Sequence, residues 1–370
     1  MELYDTLDSF LRSCPDNGVN FEIQSAFLKA WNKIHGWSGD GDPWTMYPTV
    51  MAAVSGGADS DVLIDMIERI GHPLSEVHYV FYDSGLEFEA TKRHLAFLEE
   101  KYGVSIERRK AKVPVPLGVK RSGVPFLSKK VSDYAHRLQL HGFQWEIEPF
   151  EKLRLKYPRC ESALRWWCNE WGADSRMNIR RRRWLREFMS EKPPDFPISD
   201  RCCEGAKKAT AKQAEKEIRP NLTVTGVRKS EGGARASAYR SCFDENCGKP
   251  DRYRPLFWFR DSDRDAYDRA FGVTHSDCRS VYGLTRTGCA CCPFGRNFEA
   301  ELEAAKKYEP RLYAAAVNVF GDAYAYTRAY REYARARDAE RRFGYTPTCS
   351  GIVDRDIIFF HVRHCLQDCV

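Results

Sequence analysis

Thr49-Val50-Met51-Ala52-Ala53-Val54-Ser55-Gly56-Gly57-Ala58-Asp59-Ser60 is the stretch that decides the fold. Six uncharged residues ending at Ser-Gly-Gly have the length and punctuation of a buried strand. Beyond them Val62, Leu63, Met66, Ile67 and Ile70 fall on one face of a helix over 59–70. A Gly-Gly pair at such a junction lets the backbone approach an anion and turn successive N–H groups toward it. The helix that follows adds its positive end. Ser55 and Ser60 are placed to donate hydroxyl hydrogen bonds to the same oxygens. Glycines alone read equally well as an ordinary strand-to-helix turn.

Working outward, Val77–Tyr82 reads as a second strand that ends at Asp83-Ser84-Gly85. Ala90–Lys101 reads as a helix, 104–107 as a third strand and 222–228 as another. This alternation predicts an α/β fold, a mostly parallel twisted sheet with helices on both faces. Ligands of such sheets bind beyond the carboxyl ends of the strands, where the loops at 55 and 83 lie. Residues 1–47 read as an N-terminal helical segment, with Leu7, Phe10, Leu11, Ile23, Phe27 and Trp31 at helical spacings. Residues 48–240 form the nucleotide-binding part. Residues 241–297 form a cysteine-rich metal-site segment, irregular over 241–295, and 298–370 form a C-terminal helical region.

Composition narrows the class. The hydrophobic fraction of 43% and charged fraction of 30% over 370 residues describe a packed globular chain. A net charge of +6 suits an anionic ligand. The acidic start, Met1-Glu2-Leu3-Tyr4-Asp5, lacks the basic-then-apolar order of a secretory signal, and no apolar run is long enough to span a bilayer. A cytoplasmic protein with no membrane partner is expected. Fourteen cysteines in a reducing compartment then point to metal or redox chemistry.

Cys202-Cys203 and, further on, Cys289-Ala290-Cys291-Cys292 stand out. Cys289 and Cys292 have the spacing that lets two thiolates converge, and the adjacent pair completes a four-thiolate site. By ligand count zinc and an iron–sulfur cluster suit it equally. Cys242 and Cys278 lie between the pairs and are alternatives to Cys202. Ile179-Arg180-Arg181-Arg182-Arg183-Trp184, with Trp166, Trp167 and Trp171 upstream, suits single-stranded nucleic acid, or a solvated face over a tryptophan core.

Three ordered motifs carry a family resemblance. Ser55-Gly56-Gly57-Ala58-Asp59-Ser60 resembles the PP-loop, Ser-Gly-Gly-Lys-Asp-Ser, of ATP pyrophosphatases. Tyr82-Asp83-Ser84-Gly85-Leu86-Glu87 resembles the second element of the phosphoadenosine phosphosulfate reductase-like family, and Gly226-Val227-Arg228 with Arg235 resembles its third. The resemblance spans about 48–295 and implies an adenine nucleotide held by Ser55, Gly56, Gly57, Asp59, Ser60, Asp83, Ser84 and Gly85. It implies Lys129 as a further phosphate contact, in a loop over the pocket, and Arg228 and Arg235 as the charges that assist catalysis. Cys202, Cys203, Cys289 and Cys292 resemble the [4Fe–4S] ligands of assimilatory adenylylsulfate reductases. Ala58 departs from the pattern, standing where ATP-using relatives carry lysine.

These implications lead to ATP with Mg²⁺ as the nucleotide and a [4Fe–4S] cluster (zinc as the alternative) at the cysteines. The expected reaction adenylates an acceptor, DNA or RNA, for sulfur transfer, with a sulfur-donor or partner protein. The alternatives are a reductase of adenylylsulfate or phosphoadenylylsulfate, with Cys365 or Cys369 as the attacking thiol, and a nucleotide-sensing module with a structural metal.

Overall fold

The computed structural model of the chain describes residues 7–14, 19–36, 45–232, 238–246, 249–285 and 288–343. Arg235, Cys365 and Cys369 fall outside the described residues. Among those described, six strands form one sheet: β1 Thr49–Val54, β2 Glu76–Asp83, β3 Ile106–Lys110, β4 Leu222–Thr225, β5 Phe243–Asp244 and β6 Asp251–Tyr253. Their order is β3-β2-β1-β4-β6-β5. Every neighbouring pair is parallel except β5 with β6. The chain leaves β1 toward β2 and β3, then returns much later to β1's other side as β4. Connections from the two flanks of β1 therefore diverge, which opens a crevice at its carboxyl end. The Ser55 loop sits at that switch point.

Strand alternation divides the side chains of β1 between two helix layers. Val50, Ala52 and Val54 join a core with Tyr79 and Phe81 of β2, Leu222 and Val224 of β4, and Ile23, Phe27 and Trp31 from the N-terminal helical segment. The helices α1 (Leu7–Ser13) and α2 (Phe21–Ala30) belong to that segment, and α3 (Ala58–Ile70) supplies Val62, Leu63, Met66 and Ile67 to the same core. On the opposite face Met51 and Val80 pack against Ala214 of the helix Ala209–Ile218. The α/β fold with helices on both faces is thus observed.

Three acids on the buried side of α3 fix its orientation. Asp65 is fully buried and accepts from Arg69, from Tyr102 of α4 (Glu89–Tyr102) at 2.8 Å and from Tyr267 at 2.8 Å. Glu68 accepts from Tyr79 at 2.5 Å. Asp61, also fully buried, meets His94 Nε2 at 3.0 Å and His275 Nδ1 at 2.8 Å. Buried carboxylates persist only when so partnered. These bonds lock the helix that bears the glycine loop to its neighbours.

Two readings from sequence change. Residues 241–295 are not irregular: they supply β5, β6 and the helix Asp261–Phe271. Strands of two and three residues are too short to show a period. The helix buries only Asp263, Arg264 and Tyr267 in an otherwise polar run. The third strand runs Ile106–Lys110 rather than 104–107, and its charges Glu107, Arg108, Arg109 and Lys110 are those of a sheet edge.

A separate core over residues 126–198 gathers Trp145, Trp166, Trp167 and Phe188. Trp166 and Trp167 are buried within it, whereas Arg180 to Arg183 are exposed. The two tryptophans are therefore core and stack on no ligand. No helix among the described residues is long and apolar enough to cross a membrane.

Candidate nucleotide and cysteine site

At the carboxyl end of β1 the chain turns at Gly56, φ +66°, and enters α3 with Gly57 as its N-cap. Ser60 organises the turn. Its hydroxyl accepts from the N–H groups of Ser55 (3.1 Å) and Gly57 (3.1 Å) and donates to Gly57 O at 2.9 Å. Ser55 Oγ lies 3.0 Å from Ser60 Oγ. Two loop amides are thus consumed internally, and Ser60 serves the loop rather than pointing at a ligand. The N–H groups of Gly56, Ala58 and Asp59 have no protein acceptor among the described residues. They stand at the first turn of a thirteen-residue helix, the arrangement that attracts an anion.

Gly56 is constrained by sterics as well as by its backbone angle: a Cβ there would stand 2.7 Å from Thr91 Cγ2 of α4. Gly226, at the end of β4, lies so close to α3 that a Cβ would meet Asp59 O at 2.7 Å. That approach brings Arg228 to the loop. Arg228 is buried and donates through Nε to Asp59 at 2.7 Å and through Nη1 to Asp261 at 2.9 Å and Ser230 at 3.0 Å. Arg264 Nη1 lies 3.7 Å from both Asp59 and Asp261. Burial pushes the Asp59 carboxyl above its ordinary range, with Arg228 opposing. Two arginines face two aspartates here, with Glu231 beside them, so the side chains leave no net positive charge. The positive character of the hollow comes mainly from backbone amides.

The second loop joins the two halves of the site. Gly85 N donates to Asp83 Oδ1 at 2.8 Å, and Ser84 Oγ donates to the buried Glu87 at 2.5 Å. Burial raises the Glu87 carboxyl, against the pull of Lys207 and the Ser84 hydrogen bonds. Leu86 O accepts from Ala290 N at 2.8 Å, inside the second cysteine turn. That turn is pinned elsewhere by Cys291 N to Glu301 (2.9 Å) and by Tyr324 OH to Cys291 O (2.5 Å), with Cys291 at φ +56°. One segment, 83–91, running from the end of β2 into the first turn of α4, therefore touches the glycine loop through Thr91 and the cysteine turn through Leu86.

Cys202, Cys203, Cys289 and Cys292 come together on the far side of that loop, near enough to act on one another's ionisation. The adjacent Cys203 thiol and burial drive Cys202 far up. That neighbour, with Lys129 and Lys207 nearby, holds Cys203 below the ordinary thiol range, against burial. Burial raises Cys289 and Cys292. Cys278 lies elsewhere, its sulfur 3.5 Å from Thr91 Oγ1, and Cys242 sits beside Lys33 and Tyr253. Among the described residues no three His, Cys, Asp or Glu side chains are arranged to hold a metal ion.

Three features escaped the sequence reading. Lys207 faces the thiols: burial works against its charge, but Cys289, Glu87, Cys203 and Cys292 outweigh that and hold its pKa high. Its only signal was its place in the basic pair after Cys202-Cys203. His275 bridges Asp61 and Asp268, at 2.8 Å each, and sits one step behind Ser60. Nothing local announces a pairing 214 residues long. The third is a cavity of about 460 Å³, lined by Lys129, the expected phosphate contact, with Cys203, Arg121, Arg201 and Lys208.

A parallel sheet whose central strand ends in an amide-rich glycine loop, with a Gly-x-Arg strand beside it, is the arrangement that the resemblance to PP-loop proteins implies. Residues 49–137 match the family described as the phosphoadenosine phosphosulfate reductase domain. No curated protein matches the chain. Among solved structures it is similar to the phosphoadenylyl-sulfate reductase of Candida auris in its phosphate complex. That match has 15% identity over 66% of this chain and 82% of the other, with a TM-score of 0.36. It is also similar to the U34-tRNA thiolase NcsA of Methanococcus maripaludis with its [4Fe–4S] cluster. Identity there is 11% over 90% of this chain and 86% of the other, with a TM-score of 0.35.

Proposed function

We propose that the protein is a PP-loop enzyme that uses Mg²⁺–ATP to adenylate an acceptor, a nucleic acid, for sulfur transfer. One observation carries this reading: a single segment, 83–91, which leads from β2 into α4, packs Thr91 against Gly56 and holds the cysteine turn through Leu86 O. Two sites built on one short segment serve one reaction more readily than two.

In this reading the N–H groups of Gly56, Ala58 and Asp59 receive the phosphates, Ser55 assists, and Ser60 keeps the turn in shape. Asp83, Ser84 and Gly85 line the neighbouring loop end. The acceptor oxygen forms a bond to the α-phosphorus while the bond to the bridging oxygen breaks. The electron pair leaves with pyrophosphate, and the acceptor proton passes to solvent. Arg228, held still by Asp59 and Asp261, offsets charge that develops on the phosphates. Sulfur at the sulfide level, brought by a donor protein, then displaces AMP.

The four cysteines would hold the [4Fe–4S] cluster, whose thiolates stand farther apart than those around a single zinc ion. Lys207 supplies a buried positive charge to so anionic a group. When bound, such a cluster supplies a place for inorganic sulfur. Zinc remains the alternative, and iron and acid-labile sulfide counts decide between them.

Pyrophosphate release on mixing with Mg²⁺–ATP and RNA or DNA tests the reaction. Release that depends on the acceptor is expected. ATP bound tightly with no release under any acceptor would favour the nucleotide-sensing module instead.

A further inference from the structure

The arginine run lies on the surface and leads, residue by residue, to the cysteines. Arg176, Arg180, Arg181, Arg182 and Arg183 are all exposed. Arg180 and Arg181 donate to the backbone carbonyls of Ala173 and Asp174, which fixes their direction, and Arg183 pairs with Asp338 at 3.0 Å. Arg176 and Arg182 make no ion pair among the described residues. Lys130 Nζ donates to Arg176 O at 3.0 Å, so the strip continues onto the first turn of the helix Lys129–Leu140. Its neighbour Lys129 already lines the cavity beside Cys203, with Arg121, Arg201 and Lys208.

The acids on this route are few. Glu204 is engaged by Lys208 at 2.9 Å and Asp338 by Arg183; Glu170, Asp174 and Asp200 carry no ion pair among the described residues. A row of cations of this length exceeds what one small anion can engage, whereas a phosphodiester chain presents a charge at every step. Trp171 stands beside the strip, 38% exposed, its backbone N–H donating to Asn178 Oδ1 at 3.1 Å. An exposed ring along a basic track is how single strands are gripped without regard to sequence. The cavity at the end, about 460 Å³, falls in the size range of single small-ligand pockets and is far too small for a duplex. Enzymes that act on a base take it out of the stack into such a space.

We propose that this strip is the seat of a single-stranded nucleic acid. Its phosphates lie on Arg176, Arg182, Lys130 and Lys129, Trp171 stacks on a base, and the target nucleotide enters the cavity beside Cys203. This rests on the adenylation reading for its purpose, but its test does not. Fluorescently labelled 20-nucleotide RNA, DNA of the same sequence, and the DNA duplex are titrated against the full chain over a salt series. The variants are R176E/R182E, W171A and, at the opposite end of the sheet, K101E.

Single-strand affinity should fall at least tenfold in R176E/R182E, and the slope of log K against log salt should shrink by about 1.4, roughly 0.7 per lost contact. W171A should lose about tenfold. K101E should stay within twofold, and melting temperature and ATP binding should be unchanged in all three. RNA and DNA affinities identify which strand is preferred. The proposal is overturned if R176E/R182E binds like wild type or like K101E, if duplex binds as well as single strands, or if no oligonucleotide binds. Strip-dependent binding without pyrophosphate release would sink the adenylation reading and leave this one standing; release with a strand that ignores the strip would do the reverse.

Discussion

Replacing Gly56 with alanine tests the geometry of the loop in two separable parts. At φ +66° an L-residue costs about 1–2 kcal/mol. The added Cβ would also stand 2.7 Å from Thr91 Cγ2, short of the ~3.5 Å of ordinary carbon contact, and overpacking of that kind costs about 1–3 kcal/mol. G56A should therefore lose about 2–5 kcal/mol in urea unfolding. If the turn escapes the strain by changing shape, the free amides leave their places. Losing one or two hydrogen bonds to a charged phosphate would then weaken ATP by roughly 10- to 100-fold in titration calorimetry. T91S removes the clashing methyl and keeps the hydroxyl that faces Cys278. Alone it should cost about 1 kcal/mol, the loss of one buried methyl. In the G56A background it should restore about 1–2 kcal/mol, a coupling between touching sites, while the backbone cost remains. Strictly additive effects, or G56A with unaltered stability and ATP affinity, would refute the packing described here.

Other perturbations follow from the same contacts. A58K puts a cation beside the phosphates where the side chains now leave no net positive charge, and ATP should bind about tenfold tighter, one charge-assisted hydrogen bond. G226A forces β4 away from Asp59 O, so the Arg228–Asp59 pair should break and ATP affinity fall about tenfold with the fold kept by circular dichroism. His275 is raised to about 9: burial opposes its charge, but Asp268 and Asp61 outweigh burial. A group raised in the folded state adds stability that is whole below its unfolded pKa of about 6.5 and fades as pH climbs through about 9. Stability should therefore drop by about 2 kcal/mol between those limits, allowing for solvent screening, and H275Q should flatten that slope in urea unfolding. Protein purified without oxygen should contain about four irons and four sulfides per chain, and C289S should lose both.

Much of the nucleotide half was legible because its signals are local. The run from Thr49 to Val54 has no charge to place it anywhere but inside, and Gly-Gly at its end leaves little choice of turn. The Tyr82-Asp83-Ser84-Gly85 stretch is similarly compact. What stayed hidden depends on partners far apart in the chain. Arg228 meets Asp59 across 169 residues, and Asp61 meets His275 across 214. The cysteine count was plain, but Cys242 and Cys278 could be set apart from Cys202 only once Lys33 and Thr91 were seen beside them. Ser60 looked like a phosphate donor from its position, and became the internal brace of the turn once its four neighbours were known.

The account stands on three backbone amides left open at the end of β1. A crystal structure of the chain with Mg²⁺ and a non-hydrolysable ATP analogue measures this directly. Phosphate oxygens should lie within hydrogen-bond reach of the N–H groups of Gly56, Ala58 and Asp59, with the adenine toward β4. A nucleotide found elsewhere, or those amides still empty with the analogue bound, would contradict it.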